Sequence, residues 1–291
     1  MAENTQVART GTKTTFMAYM SNDAVKNQIS KVVQGKNGDR FITAIISAVQ
    51  TNPALQECSN QSIVSAALLG ETLKLSPSPQ LGQYYMVPFN NTKKGVKEAQ
   101  FQLGYKGYIQ LAIRSGFYKK LNVVAIKEGE LVQYSPLDEE IEINLIEDEE
   151  ERENAITSGY YAMFEYTNGF KKTLYWSKAK MEAHAIKYSM GYKAKKGYTF
   201  WEKDFDGMAF KTMLRQLISK WGIMSIEMQN AFEDDMAVVD DKGNRTYVDG
   251  VSFENEVQAE IEQNANTEDF KEAIGTRETT VNESAPADPG F

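Results

Sequence analysis

The chain reads as an α+β protein in which antiparallel β-hairpins and sheet pack against helices. Three observations carry that reading. Helical spacing dominates the region before Pro77. Two strand pairs are then joined by turn-rich segments, NNTKKG and Thr167-Asn168-Gly169, which are too short for a parallel crossover. The order of helices, hairpin, helix, strands, hairpin and two helices lacks the strand–helix–strand alternation of a parallel sheet. A length of 291 residues with 42% hydrophobic content can fill a core of this kind.

Each element has its own warrant. Residues 1–20 are expected to be a disordered N-terminus, because the first fifteen are polar. SNDAVKNQISKVV, GDRFITAIISAVQ and NQSIVSAALLGETLKL show helical spacing behind Ser, Asp or Asn caps, and Pro77 and Pro79 stop the third helix. GQYYMVPF and VKEAQFQL form the first hairpin. GYKGYIQLAIRSG supplies a short helix, LNVVAIKEGELVQY and EIEINLI supply strands, and SGYYAMFEYTNGFKKTLYW is the second hairpin. WSKAKMEAHAIKYS is helical with Ser177 as N-cap. GYKAKKGYT reads as a basic, glycine-bearing loop, and FWEKDFDGMAFKTMLRQLISKWG as one long helix ending at Gly222. Beyond about residue 228 the pattern weakens: VQAEIEQNA suggests one helix, and TRETTVNESAPADPGF has the composition of a disordered end.

The net charge of −8 hides a segmental pattern. Residues 1–137 hold 15 Lys and Arg against 8 Asp and Glu, residues 171–221 hold 12 against 4, and residues 222–291 hold 4 against 17. Between the basic regions runs LDEEIEINLIEDEEERE, ten acids with one Arg. Such blocks suggest a polyanion-binding body with an acidic appendage, or a set of solvated faces.

Several chemistries are poorly served. No phosphate-binding loop of the G-x-x-x-x-G-K-[ST] form occurs, nor a G-x-G-x-x-G dinucleotide fingerprint. Cys58 is the single cysteine, so an intrachain disulfide and a cysteine metal site are excluded, and a reducing cytoplasm is expected. His184 is the only histidine and reads as a packed or surface imidazole rather than a base. The Glu-x-Lys of many metal nucleases is absent, and the 138–153 acids read as a solvated loop and strand edge. No catalytic residue, cofactor or metal ligand is therefore assigned, and no stretch is apolar enough for a signal or a membrane span. Binding, not enzymatic chemistry, has to carry the function.

A binding constellation remains. On a helix, Lys106, Gln110 and Arg114 fall in one stripe, while Tyr105, Tyr108, Ile109 and Ala112 form another. Lys119 and Lys120 follow, beside Phe117 and Tyr118. The long helix carries Lys211, Thr212 and Arg215, and before it lie Lys187, Tyr188, Lys193, Lys195 and Lys196. Cations neutralise phosphates, and flat rings offer stacking surfaces to bases. Tyr105, Lys106, Gln110, Arg114, Lys119, Lys120, Lys187, Tyr188, Lys193, Lys195, Lys196, Lys211, Thr212 and Arg215 are thus the candidate nucleic-acid residues. Two alternatives stand beside this reading. Gly104 and Gly107 either cradle phosphate or only permit close packing, and Lys211 and Arg215 either face a nucleic acid or pair internally with Asp204 or Asp206.

The motifs PALQECSNQSIVSAALLGETLKLSPSPQLGQYYMVPF, QLGYKGYIQLAIRSG with VVAIKEGE, and WEKDFDGMAFKTMLRQLISKWG resemble, in order and spacing, the RecT family of phage single-strand annealing proteins. The resemblance covers roughly residues 50–225. It implies the fold of the RecT, Redβ and Rad-type annealing proteins, with a sheet and helix bordering a DNA groove. It also implies an ATP-independent recombinase, not an enzyme, that binds single-stranded DNA and pairs it to a complementary strand, as a homo-oligomeric ring or helical filament. The family's basic positions fall on Lys106, Arg114, Lys211 and Arg215. Where the family often has Pro before the tryptophan of the last motif, this chain has Phe200. The expected organisation is an annealing core over residues 21–226 and an acidic, largely disordered tail over 227–291, and the part after about residue 228 is expected to be dispensable for annealing because its acids would repel DNA and its pattern is too sparse to complete the core. Single-stranded DNA, annealed duplex, self, a phage exonuclease and host single-strand-binding protein are the implied partners, in the cytoplasm of a bacterial host. An RNA-binding module using Gly104 to Gly107 as a clamp, or a metal-dependent nuclease using the 138–153 acids, are the alternatives.

Overall fold

The computed structural model describes residues 15–33, 37–91, 94–239 and 245–247. Helical spacing at the start of the chain becomes α1 (Phe16–Met20), α2 (Asp23–Val32), α3 (Asn37–Thr51) and α4 (Asn60–Thr72), with a 3-10 turn at Pro53–Glu57. Polar caps set two starts: the Asn22 side chain accepts from the Ala24 N–H at 2.8 Å, and Ser59 Oγ from the Ser62 N–H at 3.3 Å. Val25 and Ile29, four apart, turn the same face of α2 inward, as Phe41 and Ile45 do on α3. Helix α1 corrects the expectation that residues 1–20 are disordered, at least for its own five residues. Met20 is buried, and the Tyr19 hydroxyl donates to Gln61 Oε1 at 2.6 Å, so this short helix is held by the body.

Antiparallel pairing follows the turn signals. Strands β1 (Tyr84–Asn91) and β2 (Val96–Leu103) pair with Tyr84 opposite Leu103. After α5 (Tyr105–Ser115), strand β3 (Tyr118–Lys127) joins β6 (Thr157–Tyr166) and β7 (Lys171–Ser177) in a sheet of order β3-β6-β7. The turn between β6 and β7 places Gly169 at φ +90°, which glycine adopts without a Cβ penalty. LNVVAIKEGELVQY divides into β3 and β4 (Leu131–Ser135), and β4 pairs with β5 (Glu140–Ile143). The remaining acids form α6 (Glu149–Asn154), capped by Asp148. Glu130 fixes this region: its fully buried carboxylate accepts from Arg152 Nε at 2.6 Å and from the Lys127 and Ile146 N–H groups. Burial opposes its ionisation, but these donors outweigh burial and lower its pKa.

The last third departs most from the sequence pattern. Helices α7 (Lys178–Tyr188) and α8 (Met190–Lys193) come first, with Ser177 Oγ capping α7. The single long helix expected from Phe200 to Gly222 is two, α9 (Phe200–Lys203) and α10 (Phe205–Trp221). Asp204 sits between them at φ −147° and ψ 75°, and its carboxylate accepts from the Gly207 N–H at 2.9 Å. An N-cap inside an amphipathic run ended one helix and started the next. Helix α11 (Ile226–Asp234) and the pair β8 (Ala237–Val239) and β9 (Arg245–Tyr247) follow. The Met236 N–H donates to the Phe101 carbonyl of β2 at 3.0 Å, and Ala231, Phe232 and Ala237 are buried. The expected core boundary at residue 226 is therefore too early. The expected helix over VQAEIEQNA and the expected disordered end lie outside the described residues, as do residues 1–14.

Two hydrophobic cores meet at α10. One joins α1 to α5, the first hairpin and α11, and the other lies between the three-stranded sheet, α7, Trp201 and α10. Leu214 and Ile218 of α10 enter the first core, and Ala209, Met213 and Leu217 the second. Fully burying the Leu, Ile and Met among them contributes about 1.5–3 kcal/mol each, so α10 joins the cores together with Tyr118, Leu121 and Val123 of β3, which pack against both.

Candidate nucleic-acid interface

The glycine corner at the start of α5 serves packing. A Cβ on Gly104 would lie 2.2 Å from the Gly82 carbonyl oxygen, and one on Gly107 would lie 2.1 Å from that of Gln83. The Gly104 N–H donates to Gln83 O at 2.9 Å and the Gly107 N–H to Gly104 O at 2.9 Å. These glycines let α5 sit directly against the segment before β1, so of the two sequence readings the structure takes close packing. The helix still separates two stripes. Lys106, Gln110 and Arg114 are exposed, while Tyr108 and Ala112 are buried and Tyr105 and Ile109 half-buried.

Lys211, Thr212 and Arg215 are placed differently from their sequence expectation. All three are buried, at 4%, 7% and 5% exposure. Lys211 Nζ lies 2.8 Å from Asp235 Oδ1, and Arg215 Nη1 lies 3.1 Å from Asp235 Oδ2. The same carboxylate accepts from the Tyr108 hydroxyl at 3.0 Å and the Leu103 N–H at 2.8 Å. Thr212 Oγ1 donates back to Met208 O. A helix enclosed by two cores has no open side for a solvent-facing cation stripe, and one acid from the C-terminal segment, Asp235, binds both of its cations. The internal pair foreseen with Asp204 or Asp206 is also corrected. Asp204 caps α10, and Asp206 accepts from the Tyr160 hydroxyl at 2.5 Å with Lys178 3.7 Å away.

The other candidates divide by occupation. Arg114 donates to the Leu73 and Lys74 carbonyls at 2.6 and 3.1 Å, closing the end of α4. Lys119 and Lys120 share the Glu165 carboxylate at 2.6 and 3.3 Å. Lys187 is exposed with its Nζ 5.0 Å from the Tyr188 ring, and Tyr188 lies 4.5 Å from the His184 ring. Lys193 ends α8, and Lys193, Lys195 and Lys196 are all exposed.

Around Lys106 and the candidate Tyr105 the structure gathers three rings that the sequence reading did not select, Tyr85, Phe200 and Phe210. Tyr85 of β1 and Phe200, the first residue of α9, have ring centroids 5.6 Å apart. Tyr105 meets Phe210 at 5.6 Å, and Lys106 Nζ lies 5.9 Å from the Tyr105 ring. Burial, then Asp204 and Tyr105, raise the Tyr85 hydroxyl pKa, so it stays a neutral donor. Tyr198, in the same basic loop as Lys195 and Lys196, is 62% exposed. Strand alternation held the missed signal: Tyr84 points into the core, so Tyr85 must point out. Phe200 occupies the first position of a helix, a place that Pro would also accept readily.

An α+β molecule with antiparallel sheets, two cores joined by a buried helix, and an exposed surface of cations and rings defines a class before it defines a family. The comparisons supply the family. Residues 39–248 match the model of the RecT family, so the chain belongs to the RecT family. It is 38% identical over 274 residues to protein YqaK of Bacillus subtilis strain 168, covering 94% of this chain and 88% of that protein. It is 30% identical over 225 residues to protein RecT of Escherichia coli K12, covering 75% and 79%. Its role accordingly lies in DNA recombination by single-strand annealing. Among the described residues no group of three or more His, Cys, Asp or Glu is placed to hold a metal ion, and no helix is long and apolar enough to cross a membrane.

Proposed function

We propose that the protein binds single-stranded DNA on the surface where Tyr85, Tyr105, Lys106 and Phe200 meet, and that the exposed Lys193, Lys195 and Lys196 lead the phosphate backbone toward it. The observation that supports this reading is the ring cluster itself, with a lysine beside rings that are only partly covered. Bases stack on such rings whatever their sequence, while lysines release counterions from phosphates. Gln110, one turn after Lys106, offers a further donor to the backbone. Copies assembled in a ring or helical filament hold the strand extended, with its hairpins removed and its pairing edges open. The complementary strand then pairs by its own base-pairing and stacking free energy, so no nucleotide is consumed and no bond is broken.

Fluorescence measurements of oligothymidylate binding, and of the pairing of two complementary strands in nucleotide-free buffer, test the proposal. Stacking contributes about 1–3 kcal/mol per base, so Tyr85→Ala or Phe200→Ala should weaken binding roughly five- to 150-fold. Lys106→Ala should slow pairing as well. Unchanged affinity in all three variants, a requirement for ATP hydrolysis, or stronger competition by a ribo-oligonucleotide would reject it.

A further inference from the structure

At the far end of α5 from the ring cluster lies an apolar groove of about 460 Å³ between α5 and β3. Ile109, Ile113, Leu121 and Met163 line it, Lys119 and Lys120 stand on its rim, and Ile113 is 60% exposed. The two lysines share one carboxylate, Glu165, so the rim keeps a surplus positive charge.

The opposite edge of the same three-stranded sheet carries an apolar tip followed by acids. There the β4–β5 hairpin is anchored to β7, because Thr173 Oγ1 donates to the Glu139 carbonyl at 2.8 Å and Lys172 pairs with the Glu139 carboxylate. Its turn presents Leu137 at 92% exposure, followed directly by Asp138, Glu139 and Glu140. A leucine held at the tip of a hairpin at this exposure has almost no contact among the described residues. Its exposure also shows that it does not occupy the groove of its own molecule.

We propose that Leu137 of one copy inserts into the groove of a second copy, with Asp138 and Glu140 set against Lys119 and Lys120. This deepens the self-association part of the function proposed above and rests on that reading. Charge and shape select a second copy as the occupant: an acidic tip carrying one apolar side chain meets an apolar groove with a basic rim. A phosphate backbone would leave the groove's apolar walls unused. The contact is head-to-tail, so each copy keeps a free tip at one edge and a free groove at the other. Repetition then gives a closed ring or an open helix according to the rotation per step.

Sedimentation velocity of the full chain without DNA tests the contact. The unaltered protein should assemble, whereas Leu137→Asp alone and Ile113→Asp alone should sediment as monomers. Their equimolar mixture should give a dimer and nothing larger, since only one intact tip and one intact groove remain to pair. Both positions are exposed, so melting temperatures should stay within the range of the unaltered chain, and Leu137→Ser supplies a milder tip variant that should also weaken assembly. Either aspartate variant assembling like the unaltered chain, a mixture that stays monomeric, or an unaltered chain that is itself monomeric would overturn the proposal. Oligothymidylate binding, measured on the same samples, separates the two readings. Monomeric variants that bind the oligonucleotide within about threefold of the unaltered chain but pair strands slowly support this contact, and dimers from the mixture without any DNA binding would retain the contact while removing the annealing function.

Discussion

Asp235 shows how one side chain can reassign others. Lys211 and Arg215, one helical turn apart, read as unpaired cations because their partner lies 24 and 20 residues downstream, in a segment with weak periodicity. Removing one member of a buried pair leaves an uncompensated charge, at a cost of about 3–5 kcal/mol. Asp235→Ala, which strands both cations, should lower the denaturant midpoint accordingly, Lys211→Ala should lower it less because Arg215 stays paired with Asp235, and the double variant should be less damaged than the two losses added together. Additive losses would show that the residues act independently. His184 makes a second case. Its placement between alanines suggested a packed or surface imidazole, and the structure sets it among Trp176, Tyr188 and Trp201. Burial, helped by Lys187, Arg215 and Lys180, pulls its pKa down to about 4 from 6.5. The unfolded chain therefore binds a proton that the folded chain refuses as pH falls from 6.5 to 4, and stability drops across that window by up to about 3 kcal/mol. His184→Phe should remove this part of the decline in urea titrations at a series of pH values. An identical decline in the variant would assign the acid limb to the carboxylates.

Elements were legible where a local signal defined them. Asn168-Gly169 fixed the β6–β7 turn, and Ser177 fixed the start of α7. The break at Asp204 was missed because apolar spacing continues through it, although Asp at an N-cap was there to be read. Helix α11 was missed because its apolar positions, Met228, Ala231 and Phe232, gain meaning only against the Tyr108 ring and β2. The consequence reverses the expectation that everything after about residue 228 is dispensable. A chain ended after Ala231 loses Asp235 and the docking of Met236 on Phe101, and should lose its cooperative thermal transition. A chain ended after Tyr247, the end of β9, should keep it. Equal melting temperatures for the two truncations would show that the α11–β8 segment contributes nothing to the core.

Charge over the whole molecule bears on the proposed binding of a polyanion by a protein of net charge −8. Fields between exposed charges are screened beyond about 8 Å at physiological salt, so a strand on one face responds to the lysines there and little to acids elsewhere. The structure also sorts those lysines in a way the sequence could not, since paired and unpaired cations look alike in one dimension. Lys211 and Arg215 are consumed by the core, Lys119 and Lys120 share Glu165, and Lys193, Lys195 and Lys196 stand exposed beside Tyr198. If each of these three neutralises one phosphate of a single strand, replacing all three with Ala should reduce the slope of log K against log[salt] by about 2 units. Lys195 holds a φ of +49°, which Ala adopts at some cost, so Lys195→Asn is the better replacement there. The fold should survive, because no core side chain is touched. A slope unchanged at equal melting temperature would move the backbone contact away from this loop and leave Lys106 and Lys187 to carry it.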